Sequence, residues 1–340
     1  VCRHEHDAAK YSWPTASSIG VRMASRSRPS RSSSTRRTAS SSSKAASRKR
    51  SSIDTIAAFR LAHVNWKTRQ MSDAQEICTA GRGAFRDMTI MRDVTIAKSE
   101  FTPGERAITK LQEFQNDPVL FDYCKYPTIV DIVKDLIGTR HSNLVAMHTM
   151  LINKPPDTGS LTSRHPLHQD LAYFPFRPAD FICCAWTAME RMSPSNGCLV
   201  VVPGTHKGAL LKHVYPELEG GVNKAYHGIQ TFDPSIARVH VEMEKGDTVF
   251  FHPLIIHGSG ANRTQGFRKA ISCHYANDDV VRYVDPAEVT QRDIAEEVVG
   301  MAKQTLKKLV GEESSESLEL DLADVWRLKA REVNGIRSNL

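Results

Sequence analysis

The sequence predicts a mainly β chain with flanking helices, closed as a sandwich or barrel of the jelly-roll kind. Three observations predict it. Short alternating or apolar runs follow one another between Leu144 and Ala276. Turn signals separate them, at Pro194-Ser-Asn-Gly197, Pro203-Gly204 and Lys245-Gly-Asp247. Helical periodicity is strongest on either side of that stretch.

Taken in order, Ile53–Met71 reads as a short helix and Met88–Ile96 as a strand. Pro127 opens a helix whose stripe is Ile129, Ile132, Val133, Leu136 and Ile137, ending near Gly138. Strands follow at Leu144–Asn153, Phe181–Glu190, Cys198–Val202, Arg238–Met243, Thr248–His252 and Lys269–Ala276. A long helix from Pro286 to Val310 is expected to pack on the barrel, with Val289, Ile294, Val298, Val299 and Met301 apolar.

Charge divides the 340 residues unevenly. The net +7 arises in residues 1–50, which alone carry +10 and leave the remainder at −3. A near-neutral folded part does not support nucleic-acid binding by a basic domain. Between 21 and 52, Ser fills 13 of 32 positions, so that segment cannot bury enough apolar surface to order itself. Residues 1–52 are read as a disordered Ser/Arg-rich segment. It fits a transit peptide or a translated upstream stretch, since the chain opens on Val. Residues 53–87 stay unassigned and 88–340 form the β domain. The seven cysteines make no CxxC pair, which suits reduced thiols. No apolar run approaches the ~18 residues of a membrane span.

The chemistry gathers at His165-Pro-Leu-His-Gln-Asp170. On an extended segment His168 and Asp170 point to one side, giving two-thirds of the 2-His-1-carboxylate set that holds non-haem iron. His257 closes a second apolar run at a Gly-rich corner, and Arg268 follows eleven residues later. That spacing suits a keto-acid cosubstrate held by iron at one end and by a guanidinium fork at the other. Of the 14 histidines, His148, His206, His252 and His274 are expected to be structural.

The runs His165-Pro-Leu-His-Gln-Asp170, Ala185-Trp-Thr-Ala-Met-Glu190, Asn196–Gly208, Gly246–Pro253, His257-Gly-Ser-Gly260 and Gly266–Cys273 resemble the phytanoyl-CoA dioxygenase family, from about Met88 to the C-terminus. The resemblance implies a double-stranded β-helix, cupin-like, with Fe(II), 2-oxoglutarate and O2, and with ascorbate in support. It implies hydroxylation at the 2-position of a 3-methyl-branched acyl-CoA in fatty-acid α-oxidation. Residues implied to line the cosubstrate pocket are Lys110, Met150, Trp186, Ser259 and Arg268, with Gln169 near substrate or ligands. A carboxylate at Asp170 favours hydroxylation over halogenation. Rival readings are a cupin-like metal dioxygenase that uses no 2-oxoglutarate and a catalytically silent binding protein of the same fold. The terminal Ser338-Asn-Leu340 is close to a peroxisomal address. A peroxisomal location and an import-receptor partner are therefore expected, with the mitochondrion as the alternative.

Overall fold

The computed structural model describes residues 59–63, 89–92, 108–157, 163–215, 217–218, 221–222, 226–285, 291–310 and 321–334. The main strands are β1 (Phe59–His63), β2 (Thr89–Arg92), β3 (Ile108–Gln112), β4 (Leu144–Lys154), β5 (His165–His168) and β6 (Ile182–Ala188). They continue with β7 (Leu199–Val201), β8 (Val239–Val241), β9 (Asp247–Phe251), β10 (His257–Ser259), β11 (Arg268–Asn277) and β12 (Arg331–Asn334). The larger sheet runs β1-β9-β6-β11-β4-β3-β2, with β12 pairing a second stretch of β4. The smaller runs β8-β7-β10-β5. Every one of these pairings is antiparallel.

The six strands predicted from 144 onward form within one or two residues of their expected ends. The helix expected over Ile53–Met71 does not hold at its centre. Phe59–His63 is a strand at the sheet edge, paired with Asp247–Phe251. Phe-Arg-Leu-Ala-His alternates with period two, and pairing with a neighbouring strand overrides weak helical propensity. The rest of that segment, the Ser/Arg-rich start and the Ser338–Leu340 tail lie outside the described residues.

Directly opposite residues of an antiparallel pair share a face. Register therefore divides the larger sheet. On one face Arg268 stands beside Lys154, Ala270 beside Ile152 and Ala188, Ser272 beside Met150 and Trp186, and His274 beside His148 and Cys184. Lys110 of β3 joins this face opposite Ile152. The other face carries Leu111, Leu151, Cys183, Ala185, Phe250, Ile271, Cys273 and Tyr275.

That second face packs on α1 (Pro118–Cys124) and α2 (Pro127–Ile137). Asp117 caps α1, accepting from the Val119 and Leu120 N–H groups at 2.9 and 2.8 Å, and Pro118 sits where a missing N–H costs nothing. The α2 stripe buries Ile129, Ile132, Val133 and Ile137. Each such side chain contributes about 1.5–3 kcal/mol on leaving water. Farther along, α3 (Arg292–Val310) and α4 (Leu322–Lys329) cover a core of Leu171, Phe174, Phe176, Phe181 and Trp326. The helix expected over 286–310 is thus present from Arg292, and residues 286–290 lie outside the described set.

One polar chain crosses the helix-facing core. The Tyr123 hydroxyl meets Thr187 Oγ1 at 2.8 Å and Ala185 O at 3.2 Å, and Thr187 meets Thr248 at 2.7 Å. Tyr123→Phe is expected to cost about 1–2 kcal/mol, because buried partners lose a hydrogen bond without gaining water. Urea unfolding checks it: the midpoint falls at unchanged slope.

Candidate metal and cosubstrate centre

The smaller sheet delivers two histidines to one point. His257 of β10 pairs directly with His168 of β5, so both rings face the larger sheet, with centroids 4.2 Å apart. β5 ends at His168, and Gln169 stays extended at φ −118°, ψ 126°. Asp170 then opens a 3-10 turn, Asp170–Tyr173, rather than prolonging the strand. The extended Gln169 is enough to bring Asp170 back beside His168. Asp170 Oδ1 lies 3.2 Å from His168 Nε2 and 3.6 Å from His257 Nε2. One ligand atom from each of the three falls within 4.8 Å of the others, all buried.

The tautomers suit a metal. His168 Nδ1 donates to Pro166 O at 2.9 Å, and His257 Nδ1 to Ile255 O at 3.0 Å. Both Nε2 lone pairs are thereby left facing Asp170. Burial pushes the His257 imidazole down to about 4, against an opposing pull from Asp170. Burial pushes the Asp170 carboxyl up, but the neighbouring His257 and His274, with the hydrogen bond from His274, outweigh it. They hold the group well below the ordinary carboxylate value. A neutral imidazole and an ionised carboxylate are the forms that bind metal.

Asp170 has a second partner. His274 Nε2 donates to Oδ2 at 2.8 Å, leaving Oδ1 toward the two histidines. Asp170, Cys184 and His274 also cluster. Burial, then Asp170, pushes the Cys184 thiol well up, which disfavours the thiolate.

On the facing, larger sheet stands Arg268, 2% exposed. Its Nη2 donates to Gly197 O at 3.0 Å, while Nε and Nη1 meet no partner among the described residues. Its guanidinium carbon sits 5.4 Å from the Trp186 ring centroid. Burial pushes its pKa down to about 10. A buried guanidinium with open donors fits a carboxylate.

The register places Lys110, Met150, Trp186 and Arg268 on the face that looks at the histidines, and Ser259 follows His257 on the same side of β10. Lys110 rests 4.8 Å from the Tyr226 ring, and Tyr226 lies 4.3 Å from the His165 ring. Gln169 is placed differently. Its amide donates to Ala209 O and Leu254 O and accepts from Leu211 N, so it braces the loops behind the ligands. His252 turns away, bonded to Asp180 at 3.0 Å. His274 was grouped with the structural histidines, yet it touches Asp170. The signal for it was period-two spacing from Arg268. Lys154 was missed too; it opens the same row.

A metal held by two imidazoles and one carboxylate keeps positions open, and a keto acid filling them needs a cation for its far end. The fold and this pairing define the class of iron- and 2-oxoglutarate-dependent oxygenases. The profile of the family described as phytanoyl-CoA dioxygenase (PhyH) matches residues 59–270. The chain belongs to the phytanoyl-CoA dioxygenase family. A probable phytanoyl-CoA dioxygenase of Caenorhabditis elegans is 68% identical over 266 residues, covering 78% of this chain and 85% of that protein. The peroxisomal phytanoyl-CoA dioxygenase of Homo sapiens is 60% identical over 253 residues, covering 74% and 71%. The epimerase SnoN, solved with Fe3+, α-ketoglutarate and nogalamycin RO, shares the fold at TM-score 0.51 and 17% identity, covering 71% of this chain and 87% of that one. The family match starts 29 residues before Met88, where the sequence resemblance was expected to begin, and takes in the edge strand β1.

Two predictions follow from this geometry. His168→Ala, Asp170→Ala and His257→Ala should each lose bound iron, read as metal content after desalting, with folding intact by circular dichroism. The second concerns acid. His257 and His213 are both held near 4 by burial, below the ~6.5 of an unfolded histidine. The unfolded chain therefore binds more protons as pH falls from about 6.5 to about 4, and folding loses stability across that window. Urea midpoints of the metal-free protein should fall through this range and hold steady above it.

Proposed function

We propose that this chain hydroxylates the 2-position of a 3-methyl-branched acyl-CoA, phytanoyl-CoA being the type substrate, as a step of fatty-acid α-oxidation. The observation that carries the reading is Arg268, buried with two open donors on the sheet that faces the histidine–histidine–aspartate cluster. The relatives' names supply the acyl-CoA class. His168, Asp170 and His257 would hold Fe(II). With O2 and 2-oxoglutarate, a metal held there would supply the oxidising chemistry: one oxygen atom goes to the substrate as hydroxyl and the other to succinate, with CO2 released.

The chain's own residues do the positioning. Arg268 forks onto the far carboxylate of 2-oxoglutarate, with the Trp186 ring beneath it excluding water. Ser259 offers a hydroxyl and Lys110 a cation at the same pocket, and Met150 supplies apolar wall. His274 grips Asp170 Oδ2, so one carboxylate oxygen is presented to the metal. A metal dioxygenase that uses no 2-oxoglutarate has no need of a buried guanidinium, which disfavours that rival.

We also place the protein in the peroxisome, as the relatives at 55–60% identity are named, with an import receptor as partner. Ascorbate is read as a supporting reductant. No helix among the described residues is long and apolar enough to cross a membrane.

Succinate formation from 2-oxoglutarate with Fe(II), with and without phytanoyl-CoA, tests the reading. Stimulation by the acyl-CoA supports it; none at all overturns it. Arg268→Gln should raise the 2-oxoglutarate KM strongly while iron stays bound, since losing one partner of a buried charge pair costs about 2–5 kcal/mol.

A further inference from the structure

Lys154 closes β4 directly opposite Arg268 and is 5% exposed. Its ammonium reaches three oxygens: Ser163 O, Ser259 Oγ at 2.8 Å and Gly260 O at 2.8 Å. An ammonium has three N–H donors, so none remains for a ligand. Two of the acceptors are carbonyls, which can only accept. The third is a hydroxyl, and its response decides the chemistry. With a lone pair occupied by Lys154, Ser259 keeps its own proton to give, and that proton meets no acceptor among the described residues. Ser259 follows His257 on the same side of β10, and the lysine it meets stands opposite Arg268.

The same lysine also lies against Gly197. A Cβ added to Gly197 would meet the Lys154 stem at 3.1 Å and Gly260 O at 2.5 Å. Gly197 stands at φ +74°, a left-handed conformation that glycine holds without strain. Its carbonyl accepts from Arg268. Lys154 thus locks Ser259 from one side and lies against the turn that aims Arg268 from the other.

We propose that Lys154 is a positioning residue for the cosubstrate. It polarises Ser259 into a donor toward the far carboxylate of 2-oxoglutarate and adds a second buried positive charge beside Arg268, without touching the ligand. This rests on the 2-oxoglutarate reading above. Burial and the Arg268 charge press the lysine toward its neutral form. A neutral amine would take the Ser259 proton itself. A dianion seated on Arg268 favours the charged form, so ligand and ammonium support each other.

The experiment measures 2-oxoglutarate binding to the Fe(II)-loaded protein without oxygen, by titration calorimetry, for Lys154→Met, Ser259→Ala, the double variant and Arg268→Ala. Iron content and circular dichroism are read alongside. Lys154→Met should weaken 2-oxoglutarate by about tenfold to a hundredfold, the scale of one charge-assisted hydrogen bond, with iron retained. In turnover, KM for 2-oxoglutarate should rise far more than kcat falls. The double variant should fall short of the product of the single losses, because both remove one donated proton. Unchanged affinity in a folded Lys154→Met, fully multiplicative losses, or iron lost in parallel would each overturn the proposal. If Lys154→Met does not fold, Lys154→Gln serves. It keeps a donor for Ser259 without the charge, so affinity between wild type and Ser259→Ala supports the proposal and wild-type affinity overturns it. Arg268→Ala separates the two readings. If it too leaves 2-oxoglutarate binding intact, the cosubstrate assignment itself fails; if only the Lys154 variants do, the assignment stands and this inference falls.

Discussion

Strand β11 is paired along both edges, by β4 and by β6, and its register decides where the chemistry sits. Alternation sends Arg268, Ala270, Ser272 and His274 inward and Ile271, Cys273 and Tyr275 against the helices. A slip of one residue would exchange the two sets. It would drive a guanidinium and an imidazole into an apolar core and leave the metal-facing side without either. The apolar set against α1 and α2 thus fixes the polar set by exclusion. Packing energy on one face holds the geometry of the candidate site on the other.

The smaller sheet adds the complementary half. His168 and His257 meet because β5 and β10 are neighbours, although 89 residues separate them in sequence. Each ring is tethered through Nδ1 to a carbonyl two residues back in its own strand segment. The tether fixes tautomer and ring plane together. Little reorganisation is then needed when a metal arrives.

Much of this was legible in the sequence. The strands from 144 to 277 announced themselves by alternation and turn chemistry, and the helix after Pro127 by its stripe. His168, Asp170, His257 and Arg268 stood out by residue type and spacing. Other features were hidden for physical reasons. Phe59–His63 alternates over only five residues, a signal too short to outweigh the helical reading without the pairing to β9. Lys154 falls one residue beyond the strand expected over Leu144–Asn153; its burial follows from a register set by residues more than a hundred positions away. His274 is one of 14 histidines, and only its parity with Arg268 marks it. Gln169, expected near substrate or ligands, instead braces the loops at 209–211 and 254, a role that depends on how those loops fold over it.

The flank of β4 away from β11 is shared. β3 covers Met150 to Ile152, and β12 covers Leu144 to Ala146. β12 is therefore a patch on an edge laid down nearly two hundred residues earlier. Without it, the backbone N–H and C=O groups of Leu144–Ala146 would stand bare beside apolar side chains, a template for strand addition from another molecule. A chain released before residue 331 would carry the whole metal-facing constellation and still be prone to self-association. The cover on this edge thus comes from a segment remote in sequence from every residue of the candidate site.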